Sequence, residues 1–290
     1  MPRFIDLSLP ISLDAFEPRP PLVERKEHVK GGDEWGRLIA WPRSVSWHVK
    51  LRAAWGYVTG QRRITHRDFP DGLFLNDDIV TASVHCGSHL DAPFHFGPEC
   101  GGKPARRIDT VPLEWCYGPG VVLDVRHRQP GEEITVADLH GALKTADYRL
   151  HPGDIVLIQT GTDRLWPSPQ YFRAFPGMSM AATNWLLDQG IRTIGIDTPG
   201  FDRPFDVMMA DYFRTRDQRV LWPAHTLGRY REYVHMERLA RLHQLPAPGT
   251  FHVACFPVVV EGAGAGWVRA VAIVFTNGED IPCHELNKPS

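Results

Sequence analysis

The chain has no CxxC pair. Its five cysteines, Cys86, Cys100, Cys116, Cys255 and Cys283, are odd in number and widely spaced. That argues against a disulfide framework and against a thiolate-held structural zinc site, and predicts a reducing, cytoplasmic setting. No apolar run approaches the ~20 residues that a membrane span needs. The opening MPRFIDLSLP lacks the apolar segment of a secretory signal. Charge of one sign is never in excess: 32 Lys and Arg against 34 Asp and Glu leave a formal net charge of -2. Neither nucleic acid nor an anionic membrane is therefore expected as a partner. Charge blocks, repeats and recognisable linkers are also missing, so residues 1–290 are read as one domain.

What the chain does have is proline (25), glycine (26) and histidine (14). The first two predict many short elements joined by tight turns. FIDLSLPIS, DIVTASV (78–84), GVVLDV (120–125), GDIVLIQTG (153–161), IRTIGID (191–197), FHVACFPVVV and WVRAVAIVF read as strands. ITVADLHGALKT reads as a helix capped by Thr135. GMSMAATNWLLDQG reads as a helix with Ser179 as N-cap and Gly190 past its end. REYVHMERLARL (231–242) has the spacing of an amphipathic helix. Interleaved strands and helices give an α/β class. Residues 12–70 read as an irregular excursion, rich in aromatic residues and so not disordered.

VHCGSHLDAPFHF (84–96) gathers His85, His89, Asp91 and His95. On a helix, Asp91 would lie about 240° round from His85, away from His89. In an extended chain all four face one side. Four extended residues span roughly 13 Å, whereas ligands of one ion lie within about 4 Å of each other. The chain must therefore fold back between His85 and His89, and Gly87-Ser88 permits it. Two imidazoles and a carboxylate suit Zn or Mn and leave positions open for water or substrate. His95 is a further ligand or a general acid/base.

The pattern His85-x-Gly87-Ser88-His89-x-Asp91-x-Pro93-x-His95 resembles the signature of the metal-dependent cyclase family, which includes kynurenine formamidases, isatin hydrolases and cyclases of aromatic polyketide clusters. Later blocks, PGDIVLIQTG, FPGMSMAATNWLLDQGIRTIGID and ERLARLHQLP, resemble it as well. The resemblance implies a single α/β domain whose mixed sheets form a β-barrel-like core flanked by helices, a swivelling β/β/α arrangement. It implies one or two Zn or Mn ions on His85, His89 and Asp91, with Asp91 able to bridge two ions and His95 as acid/base. His225 and, twelve residues on, Glu237 would complete the ligand set; Glu232 and His235 lie close by but fit that spacing less well.

The activity so implied is metal-dependent hydrolysis of an aromatic amide, lactam or lactone. Ring closure of a polyketide and a non-catalytic metal-binding scaffold are the alternatives. The 12–70 excursion is longer than in kynurenine formamidases, and GKPARRIDTVPLEWCYGPGVVLDVRH resembles the polyketide cyclases more. A small aromatic carbonyl substrate and a homo-oligomer, dimer or larger, are expected, with the excursion as interface. Trp35, Trp41, Trp47 and Trp55 are candidates to line a substrate pocket, or else pack the excursion. Arg106 and Arg107 read as a solvated pair, Cys86 as a packing residue at an odd step, and GAGAG (262–266) as a hairpin turn.

Overall fold

A computed structural model describes residues 1–41 and 46–275; Cys283 lies outside them. The chain divides into two compact units, residues 1–19 with 83 onward, and residues 20–82.

The larger unit is built on a curled nine-stranded mixed sheet. At its centre Tyr117–Asp124, Ile155–Gln159, Thr193–Ile196 and Val234–Glu237 run parallel as neighbours. Parallel neighbours need crossovers, and the helices Val136–Ala146 and Met180–Asp188 supply the first two. Antiparallel strands flank this centre. Phe251–Ala254, Val271–Val274 and Arg3–Asp6 extend one side, and His89–Asp91 and Ala265–Trp267 the other.

Ile155–Gln159 is buried at every position, as a strand covered on both faces must be. Its alternate residues enter two cores. Val156 and Ile158 pack with Leu139, Ala182 and Leu186 under the helices. Ile155 and Leu157 pack with Leu90, Met236, Val253 and Ala272 inside the curl. The helix starts are as read from the sequence: Asp138 closes a capping box on Thr135, and Ser179 Oγ accepts from Ala182 N at 3.1 Å.

Two expectations fail. REYVHMERLARL is not a helix; its centre is the strand Val234–Glu237. Tyr233, His235 and Glu237 alternate with Val234 and Met236, and burial on both faces hides that period of two behind a helix-like apolar count. Nor is 12–70 irregular. The 20–82 unit holds the helices His28–Ala40 and Trp47–Val58 and an antiparallel pair, Leu22–Lys26 with Asp77–Thr81. Among the described residues of this stretch, prolines stand at 18, 20, 21 and 70, outside these helices and strands, so they bound the segments rather than interrupt them. Of DIVTASV only 78–81 are strand, and that strand belongs to this smaller unit; the chain turns at 84–88 before the strand His89–Asp91 begins.

Candidate metal centre

The reversal required between His85 and His89 is present. Gly87 has φ +69°, a left-handed conformation that an L side chain adopts only with strain. Ser88 anchors the return. Its Oγ accepts from Leu9 N at 2.7 Å and donates to Arg238 O at 2.5 Å, so one buried hydroxyl joins three separate segments. His89 and Asp91 then lie on one face of their strand. The antiparallel ladder sets Glu237 opposite His89 and His235 opposite Asp91, so four polar side chains of adjacent strands meet. Leu90 and Met236, paired between them, point into the core. His95 sits on the short helix Pro93–Phe96 and His225 on Pro223–Leu227.

Each carboxylate divides its oxygens. Asp91 Oδ1 lies 3.0 Å from His85 Nδ1 and 3.7 Å from His89 Nε2. Asp91 Oδ2 lies 3.1 Å from His235 Nε2 and 3.8 Å from His95 Nε2. Glu237 Oε2 lies 3.4 Å from His89 Nε2, while Oε1 lies 3.3 Å from His235 Nε2 and 3.7 Å from His225 Nε2. These separations bracket the ~3.4 Å edge of a tetrahedron with ~2.1 Å bonds. Two sets with mutual donor distances within 4.8 Å result: Asp91, His225, His235 and Glu237, and His85, Asp91 and His95.

The tautomers show that the donors fit a cation. His89 Nδ1 faces the carbonyl of Gly87 at 2.9 Å, an oxygen that only accepts, so the proton is on Nδ1. In its neutral form His89 then turns the Nε2 lone pair on two carboxylates. His225 repeats the arrangement, with Nδ1 2.5 Å from Asp202 Oδ2 and Nε2 facing Glu237. Acceptors aimed at acceptors need a positive charge between them, and carboxylate- or carbonyl-oriented imidazoles are how proteins hold divalent metals. His89 Nε2 and Asp91 Oδ1 are buried and make no hydrogen bond of good geometry, which such an ion would satisfy.

The electrostatics agree. Burial alone would raise the Asp91 carboxyl, but the imidazoles of His95, His89, His235 and His85 hold it well below the usual range. Glu237, equally buried, is held down by His235 and His89. Burial pushes His95 down to about 4 against the pull of Asp91. His235 goes up to about 9, because hydrogen bonds to Asp91 and Glu237 outweigh its burial. A metal competes for these same lone pairs and displaces the protons. Access is one-sided: the side chains of His85 and His95 are 35% and 32% exposed, whereas those of His89 and His235 are fully buried.

All six residues singled out in the sequence, His85, His89, Asp91, His95, His225 and Glu237, meet here. Two others join them, one passed over in the sequence and one without a signal there. His235 fits the family spacing less well, yet it occupies the middle of the cluster; VHME read as a strand places it on the face of Glu237. Asp202, which also accepts from the backbone of Ala224 and His225, carries no signal in its local sequence. Cys86 is buried, and burial pushes its thiol up to about 11, as for a packing residue. Arg106 pairs with Glu232 at 2.7 Å and Arg107 lies over the ring of Phe94. Trp35, Trp41, Trp47 and Trp55 belong to the 20–82 unit, where they are exposed. A cavity of about 220 Å³ adjoins His225 and is walled by Phe172, Phe175, Phe201, Phe205 and Trp222.

Comparison with known proteins agrees with this architecture. Residues 5–203 match the family model Cyclase, described as "Putative cyclase". A kynurenine formamidase of Geobacillus thermodenitrificans is 28% identical over 199 residues, 68% of this chain and 79% of that protein. A kynurenine formamidase of Salinibacter ruber is 28% identical over 236 residues, 81% of this chain and 96% of that protein. Among solved structures, isatin hydrolase A from Ralstonia solanacearum superposes with a TM-score of 0.66 at 20% identity, covering 94% of this chain and 92% of that one, and so shares the fold. The family match ends before His225 and Glu237, whose place in the cluster rests on the geometry above. Taken with the cluster of imidazoles and carboxylates, the match over more than half of its length makes this chain a member of the cyclase family and an enzyme of hydrolase type.

Proposed function

We propose that the protein is a metal-dependent hydrolase that opens a C–N or C–O bond beside a carbonyl on a small aromatic substrate, an arylformamide or a cyclic aromatic amide. The observation that carries this reading is the pair of buried carboxylates, Asp91 and Glu237, each facing imidazole nitrogens through both of its oxygens. The names of the relatives, kynurenine formamidase and isatin hydrolase, support the substrate class.

His85, His89, Asp91, His225 and Glu237, joined by His235, would hold Zn or Mn. A bound divalent ion supplies Lewis acidity and brings the pKa of water toward neutrality. Around it, the chain's own groups do the rest. Asp202 and the Gly87 carbonyl keep two imidazoles in the donor tautomer. Phe96, Phe201 and Tyr233 ring His235 and exclude water from that side. His95 stands on the exposed side, its Nε2 3.8 Å from Asp91, placed to take a proton from the attacking water and return it to the departing nitrogen or oxygen.

The test is elemental analysis of the purified protein alongside assays with N-formylkynurenine and isatin. The wild-type chain should contain a divalent metal and turn over at least one of them. His89→Ala should lose both metal and turnover; full activity in a metal-free preparation would refute the reading.

A further inference from the structure

We infer that the two sides of the centre have different duties, and that His235 makes one of them a closed, structural ion position. The inference rests on the metal-dependent function proposed above and gives His235 a distinct duty within it.

His235 is the most enclosed member of the cluster. Its side chain is fully buried and its ring stacks on Phe201, with centroids 4.2 Å apart and planes 7° from parallel. Its Nε2 lies between Asp91 Oδ2 at 3.1 Å and Glu237 Oε1 at 3.3 Å. His225 Nε2, whose proton is committed to the other nitrogen by Asp202, aims at the same Glu237 oxygen from 3.7 Å. Four protein donors, Asp91, His225, His235 and Glu237, thus surround one point. Their side chains are exposed by only 1%, 14%, 0% and 8%.

Four protein donors satisfy a tetrahedral ion and leave no position for water or substrate, which is the signature of a structural site; catalytic sites keep one position open. The other side differs. His85 is 35% exposed and next to it stands His95, the ring centroids 4.4 Å apart, so solvent and substrate reach that side. Without His235 both sides would have an open position and either ion could carry the reaction. With it, the buried ion shapes Asp91 and Glu237, and chemistry belongs to the ion beside His85.

The experiment uses the full chain stripped with a chelator, reloaded with zinc sulfate, and desalted. Wild-type protein should hold two equivalents by elemental analysis. A competing chelator should remove one quickly and the other at least about 10-fold more slowly, the range in which ligand-shell changes alter metal affinity. His235→Gln, which can still donate a hydrogen bond to the carboxylates but is a poor ligand, should hold one equivalent, and His235→Cys, which restores a donor, two. Circular dichroism establishes that each variant is folded. If His235→Gln retains both ions with unchanged release, His235 is a hydrogen-bonding strut and the inference falls while the functional reading stands. Equal release of the two ions from the wild type, which needs no variant, overturns it as well, as does a wild type that holds one ion. A wild type that holds none refutes the metal-dependent reading itself.

Discussion

The centre has two halves, and they are made differently. Residues 85–95 bring His85, His89, Asp91 and His95 to it through one turn, one three-residue strand and the start of one short helix. The other half draws Asp202, His225, His235 and Glu237 from a loop, a short helix and a central strand. The first is a local device: a left-handed glycine and a period of two do nearly all of the positioning. The second is tertiary, since its members share a site only because Val234–Glu237 lies beside His89–Asp91 in the sheet. Chemistry compressed into a dozen residues survives in the sequence as a pattern; chemistry spread over many more is visible only once the strands are paired.

The sharpest way to break this comparison is at the group both halves share. Asp91→Ala removes a donor from each set, so bound metal and turnover should both fall to background; an ion retained at full occupancy would mean that the halves bind independently. Asp202→Asn acts on the second half alone. It leaves one acceptor oxygen where the two of Asp202 serve Ala224 N, His225 N and His225 Nδ1, so metal affinity there should drop about 10–100-fold, measured by chelator competition, with the His85 side unchanged. Ser88→Ala cuts the clasp between the halves. Loss of a buried hydroxyl with two partners should cost about 1–3 kcal/mol in denaturant unfolding, while metal content is retained.

A reference outside both halves is Asp138. Burial opposes its ionisation, but Arg128, Thr135 and His127 hold its carboxyl far below the ordinary range. Its folded pKa lies below the unfolded value near ~3.9, so its contribution is present above that pH and is lost as the pH falls. Asp138→Asn should flatten the acid limb of the stability profile and leave metal binding untouched.

The order of legibility obeys the same division. The parallel strands and the two capped helices are readable because each carries its own signal: β-branched apolar runs, and Thr135 and Ser179 at the helix starts. The bend at Gly87 is dictated by chain length and bond distance alone. His225 and Glu237 come from family spacing, with no physical signal of their own. Val234–Glu237 escapes because a strand buried on both faces loses its alternation. The helices of the 20–82 unit are hidden because prolines that end segments resemble, in a sequence, prolines that break them.

The clasp at Ser88 has a consequence for the order in which the molecule is made. Its hydroxyl bonds a carbonyl 150 residues later in the chain, and Ser8, next to the Leu9 that completes the clasp, bonds Ala270, 262 residues away. Val268 N closes on the Ser88 carbonyl, and Gly264 O receives Ala92 N. Contacts of such separation form late, because the loops they close are long. During synthesis the histidines at 85, 89 and 95 are therefore out for a long interval with no wall behind them and no Glu237 across from them. An ion held by these donors would therefore be captured by a finished chain: it would lock this fold without guiding it.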